Sequence, residues 1–125
     1  MLPPDIEAFL LARIESIEGL EIVLLLAGDA NGSDTPEAIA ESLGIAPALC
    51  RRKLQALVDA GLVVGEAGRF RYRPASPELR AQAEATFEVY SRRRLEVINA
   101  IVSSSLQRLR ELADAFRLRK EKKDG

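Results

Sequence analysis

Apolar residues recur with the helical period of 3.6 along nearly all of this 125-residue chain, and only between Leu62 and Arg73 does the period fall to two. That change constrains the fold more than any other feature, because a lone hairpin cannot enclose a core and must pack on helices. Arg69-Phe70-Arg71-Tyr72-Arg73 alternates strictly, so a strand here sets Phe70 and Tyr72 on one face and three arginines on the other. Leu62-Val63-Val64 precedes it as a short, largely β-branched partner, and Gly65-Glu66-Ala67-Gly68 reads as the turn between them. The expected class is mainly α with one two-stranded hairpin, apolar on one side and cationic on the other.

The helical segments are delimited by their caps. Pro3-Pro4-Asp5 opens a first helix over 5–15, striped by Ile6, Phe9, Leu10 and Ile14. Ser16 caps a second helix to about Ala27, with Gly28 at its end and Gly19 as a possible weak point. Thr35-Pro36-Glu37 starts a short helix that stops at Gly44, and Pro47 starts another that runs to Ala60, with Gly61 just beyond. Ser76-Pro77-Glu78 caps a long helix expected to reach about Val102, where Ser103-Ser104-Ser105 is expected to interrupt it. Leu106, Leu109, Leu112 and Phe116 then stripe a final amphipathic helix.

Composition removes much chemistry. With no His and one Cys, a single chain cannot assemble a His-bearing triad, a zinc finger or a Cys-ligated cluster. No catalytic residue, metal or cofactor is expected. A lone Cys fits a reducing cytoplasm, the apolar run Ile22 to Ala27 is too short to span a bilayer, and Met1 to Asp5 lacks the basic start of a secretory signal. The expectation is a cytoplasmic, non-enzymatic domain without a membrane partner.

The net charge of −1 hides an uneven distribution. Residues 1–45 carry one base and nine acids, residues 46–75 six bases and two acids, and residues 76–125 eleven bases and eight acids. A basic segment of thirty residues after an acidic one is a candidate footprint for a polyanion.

Residues Ser16 to Pro74 resemble the winged helix-turn-helix domain of bacterial transcription regulators, as in the ArsR and MarR families. The resemblance rests on Ile39-Ala40-Glu41-Ser42-Leu43-Gly44-Ile45 and on Leu54-Gln55-Ala56-Leu57-Val58-Asp59-Ala60-Gly61-Leu62-Val63: a small residue in the first helix, a Gly turn, and a second helix ending in Ala-Gly-Leu-Val. It covers about half the chain and implies three parts: an N-terminal helix over 1–15, a winged helix-turn-helix domain over 16–75, and a C-terminal helical dimerisation arm over 76–125. It further implies a homodimer joined through the terminal helices that binds double-stranded DNA to regulate transcription, with helix 47–60 in the major groove and the hairpin 62–74 as the wing on the backbone or minor groove.

The residues suit those roles. Cys50, Leu54 and Leu57 form an inward stripe on helix 47–60, so Cys50 is expected in the core and Lys53 at its edge. Ala48, Arg51, Arg52 and Gln55 face outward; Arg can read guanine and Gln adenine in the major groove. Arg69, Arg71 and Arg73 suit phosphates or the minor groove. Helical phase places Arg94 within the stripe Leu79, Ala83, Phe87, Tyr90, Val97 and Ile101, where an ion pair at a helix–helix contact is expected; Tyr90 and Arg94 are the candidate positions for an anionic effector. The competing expectation is a winged-helix protein-interaction module without sequence-specific DNA binding, favoured by the acidic first helices and the apolar start Ala46-Pro47-Ala48.

Overall fold

Pro3 enters helix α1 (Pro4–Phe9) in an extended conformation, and its carbonyl accepts the first helical bond from the Glu7 amide in the computed structural model. The structure describes residues 2–29 and 31–124, with side chains of the last helix described through Arg117. The protein is mainly helical with a two-stranded antiparallel hairpin: α1, a π-helical segment (Leu10–Ile14), α2 (Ile17–Ala27), α3 (Pro36–Leu43), α4 (Pro47–Asp59), β1 (Val63–Glu66), β2 (Arg69–Tyr72), α5 (Pro77–Arg92) and α6 (Arg94–Asp124). Among the described residues, no helix is long and apolar enough to cross a membrane.

Three of the expected caps form. The hydroxyls of Ser16, Thr35 and Ser76 accept hydrogen bonds from the amides of Gly19, Ala38 and Leu79, each satisfying one orphan donor of a helix start. Gly44 closes α3 in the left-handed conformation (φ 67°), and the Ile45 amide returns to the Ala40 carbonyl. The turn to α4 is therefore short and fixed.

One apolar cluster joins the elements. Leu10, Leu20, Ile22 and Val23 are fully buried with Ile39, Cys50, Leu54 and Leu62, while Leu2 and, from α1, Ile6 and Phe9 close the cluster with Leu79, Ala83, Val97 and Ile101. The antiparallel register pairs Val63 with Tyr72, Val64 with Arg71, Gly65 with Phe70 and Glu66 with Arg69. A third segment joins through one bridge: the amides of Asp34 and Phe70 donate to each other's carbonyls at 2.9 and 2.8 Å. The hairpin is thereby tied to the residue just before the α3 cap.

Four expectations need correction. The first helix is not one α-helix over 5–15: the stripe Ile6, Phe9, Leu10 and Ile14 is buried, but from Leu10 the winding widens to a π-helix that ends at Glu15 in a left-handed conformation. The Glu15 amide donates to the Leu10 carbonyl, five residues back, and the apolar spacing is too similar in the two windings to separate them. The hairpin turn is shorter than 65–68. Gly65 and Glu66 belong to β1, leaving Ala67 and Gly68, both at positive φ, as a two-residue turn whose twist matches the strands. Gly65 tolerates its strand position because the Phe70 ring lies over it, so close that a Cβ would come within 2.8 Å of a ring carbon.

The long helix breaks at Arg93 (φ −128°, ψ 52°) rather than at the serines, and α6 runs unbroken through Ser103–Ser105. Ser105 accommodates the helix by donating its hydroxyl to the Ile101 carbonyl at 3.1 Å. Because α6 leaves α5 at this break, Val97 and Ile101 still reach the core, but Arg94 stays exposed instead of lying in the stripe.

Gly19 sits where α2 starts against the end of the π-helical segment. A Cβ there would lie 2.9 Å from the Ile14 carbonyl oxygen, which is backbone and cannot rotate away. Helix propensity alone favours Ala over Gly by about 1 kcal/mol. We expect the clash to win, with Gly19→Ala destabilising the fold by roughly 1–3 kcal/mol in urea unfolding; a stabilised variant would show that this close approach is dispensable.

Candidate nucleic-acid interface

Helix α4 commits one face to the core, and the rest follows from helical phase. Cys50, Leu54 and Leu57 are buried at i, i+4 and i+7, which turns Ala48, Arg51, Arg52 and Gln55 to the exposed side. Lys53 is half-buried at the boundary, as a snorkelling flank should be. Ala46, the residue before the helix, has no side chain that can cap it, and Pro47 follows. The amide end of α4 is thus bordered only by small or apolar residues.

The hairpin repeats this division. Phe70 and Tyr72 are half-buried against the core, while Arg69, Arg71 and Arg73 are exposed. Tyr72 packs at 5.9 Å between ring centroids on Phe87 of α5, with the Arg80 guanidinium 5.4 Å from its own ring centre. Burial pushes the Tyr72 phenol above its ordinary pKa, and its hydroxyl has no hydrogen-bond partner among the described residues. Arg69 and Arg71 line one shallow groove with Ser33, Val64 and Glu66 on the outer side of the hairpin.

The structure divides the outward cations and amides into held and unheld groups. Arg51 makes an ion pair across the turn with Glu37 at the start of α3. Gln55 donates to Asp59 at 2.9 Å one turn along. Arg69 donates from Nε to the Ser33 hydroxyl at 3.0 Å and from Nη2 to the Ser33 carbonyl at 2.9 Å. Arg52, Arg71 and Arg73 are exposed and, among the described residues, their side chains form no hydrogen bond or ion pair. The partners Glu37, Asp59 and Ser33 were not among the sequence candidates. Only Gln55–Asp59 had a legible signal, the i,i+4 spacing; the other two pairs join segments brought together by the fold.

Arg13 is a further residue that sequence reasoning missed. Its Nη1 donates at 2.9 Å to the Ala60 carbonyl, placing a cation at the C-terminal end of α4, where the helix dipole favours one. Tyr90 and Arg94 do come together, with the guanidinium 5.4 Å from the ring centre. This is a cation–π pair between an exposed Arg94 and a Tyr90 half-buried against the core, rather than the expected ion pair within a helix contact, because the break at Arg93 has re-aimed the chain. No family model, curated protein or solved structure matches the chain.

Two titrations carry consequences. Burial raises the Cys50 thiol above its ordinary value, outweighing the neighbouring Arg51. A thiol so held is a poor nucleophile. Cys50 should react with a thiol reagent only on unfolding, and Cys50→Ala should cost about 1 kcal/mol of packing; rapid labelling of the folded protein would contradict this. Glu37 is held below its ordinary 4.5 by its own backbone amide and then by Arg51. Its folded pKa lies below the unfolded one, so its contribution to stability is present above the unfolded value and lost as the pH falls through the folded one. Glu37→Gln should therefore flatten the acid side of the stability–pH curve, read by thermal melts between pH 3 and 7, roughly the range bracketing a carboxylate.

Proposed function

We propose that residues 16–75 form a winged helix-turn-helix domain and that the protein is a cytoplasmic, DNA-binding transcription regulator acting as a homodimer through its terminal helices. The observation that carries this reading is the set of exposed, unpartnered arginines on two outward surfaces, Arg52 on α4 and Arg71 and Arg73 on the hairpin. Helix α3, the turn at Gly44 and helix α4 supply the two-helix unit, and the hairpin, tied back at Asp34, supplies the wing. In this reading α4 enters the major groove and the wing follows phosphates or the minor groove.

The held side chains grade the contacts. Arg52 is free to reach a guanine edge, whereas Arg51 must leave Glu37 or be presented by it, and Gln55 must leave Asp59 before it can read adenine. With the apolar start at Ala46-Pro47-Ala48, few base contacts are left, so specificity is modest and depends on the spacing of two half-sites. The same tethering favours the second reading, a protein-docking module, because three of the expected contacts are already satisfied within the chain. Tyr90 and Arg94 remain the proposed location for an anionic effector.

Arg52→Ala should lose about 1–3 kcal/mol on a site selected from a random duplex pool and much less on unselected DNA. Arg71→Ala should weaken both about equally and lower the salt slope of binding by about one. If neither variant changes retention on any duplex across a salt series, DNA binding is excluded and the docking module becomes the better reading.

A further inference from the structure

The only charged residues of α3 are acidic. Glu37 and Glu41 lie one turn apart and are both exposed, although in the functional reading this helix crosses the DNA backbone. Glu37 stands in the first turn, where the helix dipole favours an anion and its own backbone amide holds the carboxylate. From that anchored position it pairs across the Gly44 turn with Arg51 of α4.

Such a pair treats a base and a phosphate differently. The bond from Arg51 Nη2 to Glu37 occupies one donor, and among the described residues the rest of the guanidinium is unbonded. Guanine offers O6 and N7, uncharged acceptors that an arginine can take together while it still holds a carboxylate. A phosphate carries a full negative charge. To bond Arg51 it must come within roughly 6 Å of the Glu37 carboxylate, about two hydrogen-bond lengths. That lies inside the screening length of about 8–10 Å, so the repulsion is felt. An exposed ion pair adds little to stability, so the main effect of this one falls on what approaches Arg51.

The other tethers follow the same division. Gln55, the second side chain of α4 held within the chain, is also held by a carboxylate, that of Asp59. Arg69 of the hairpin, whose expected partner is phosphate, is steadied instead by the uncharged Ser33.

We propose that Glu37 is a specificity-determining residue, which presents Arg51 to a guanine edge and denies it to phosphate. The proposal rests on the DNA-binding reading and concerns how that surface tells one duplex from another. Glu37→Gln keeps the shape of the side chain and removes its charge. On unselected duplex this variant should bind several-fold tighter, with a salt slope steeper by about one, the mark of one more neutralised phosphate. On a site selected with the wild type it should gain less or lose. The ratio of selected to unselected affinity should therefore fall roughly 5–20-fold, the lower range of what one base pair contributes. The change must pass through Arg51: in an Arg51→Ala background, Glu37→Gln should leave the slope as it is. Arg51→Lys, which keeps the charge and loses the fork, should lower selected-site affinity about tenfold with little effect on unselected duplex.

Thermal melts of each variant establish that the fold is intact. An unchanged ratio and slope for Glu37→Gln, with Arg52→Ala still separating the two kinds of duplex, would reduce the pair to a surface salt bridge. A steeper slope that persists without Arg51 would overturn the proposal in favour of bulk charge. If Arg52→Ala and Arg71→Ala also leave every duplex unaffected, it is the DNA-binding reading that fails, and the proposal falls with it.

Discussion

The packing of α2 against α4 is the constraint on which the other elements depend. Leu20, Ile22, Val23 and Leu26 of α2 are buried in the cluster that holds Cys50, Leu54 and Leu57 of α4, and α2 also touches α3, β2 and the π-helical segment. Once the α4 stripe is committed to that cluster, its remaining circumference is determined, and Arg52 has nowhere to point but outward. The exposed chemistry of the domain is thus a by-product of how its leucines are spaced. A change of helical phase in α4 would carry the arginines into the core, where unpaired charge is prohibitively costly.

Local signals were legible and long-range ones were not. Ser16, Thr35 and Ser76 act as caps because a short hydroxyl side chain before a helix finds the free amides in any context, and Gly44 and Gly61 mark helix ends because left-handed backbone suits glycine. The strict alternation from Arg69 to Tyr72 likewise survives as a strand with its arginines outward. The π-helical winding at Leu10–Ile14 was hidden, since a wider turn barely alters which residues face the core. So was the break at Arg93, where three consecutive arginines carry neither a glycine nor a proline to announce it, while the more conspicuous Ser103–Ser105 proved compatible with helix.

For the site, residue type and face were readable but engagement was not. The stretch 46–75 has six bases, and charge counting treats them alike. In the folded chain Glu37 offsets the charge of Arg51, and Ser33 holds the still-charged Arg69 in place, residues fourteen and thirty-six positions away, so fewer cations are both unpaired and free to move than the count implies. Such pairings depend on the route of the chain between helices, which no local pattern encodes.

The bridge between Asp34 and Phe70 has a consequence for conformational entropy. A hairpin attached only by its ends would fluctuate about its base, and any surface that seized it would have to suppress that motion at the moment of association. Here two backbone hydrogen bonds clamp β2 to the residue before the α3 cap, and Arg69 adds two more to Ser33. Much of the ordering cost is thereby met when the chain folds, because the hairpin is bonded to the helical body as well as joined to it by its ends. A partner therefore encounters a preset spacing between the arginines of α4 and those of β2, and it must match that spacing or deform to do so.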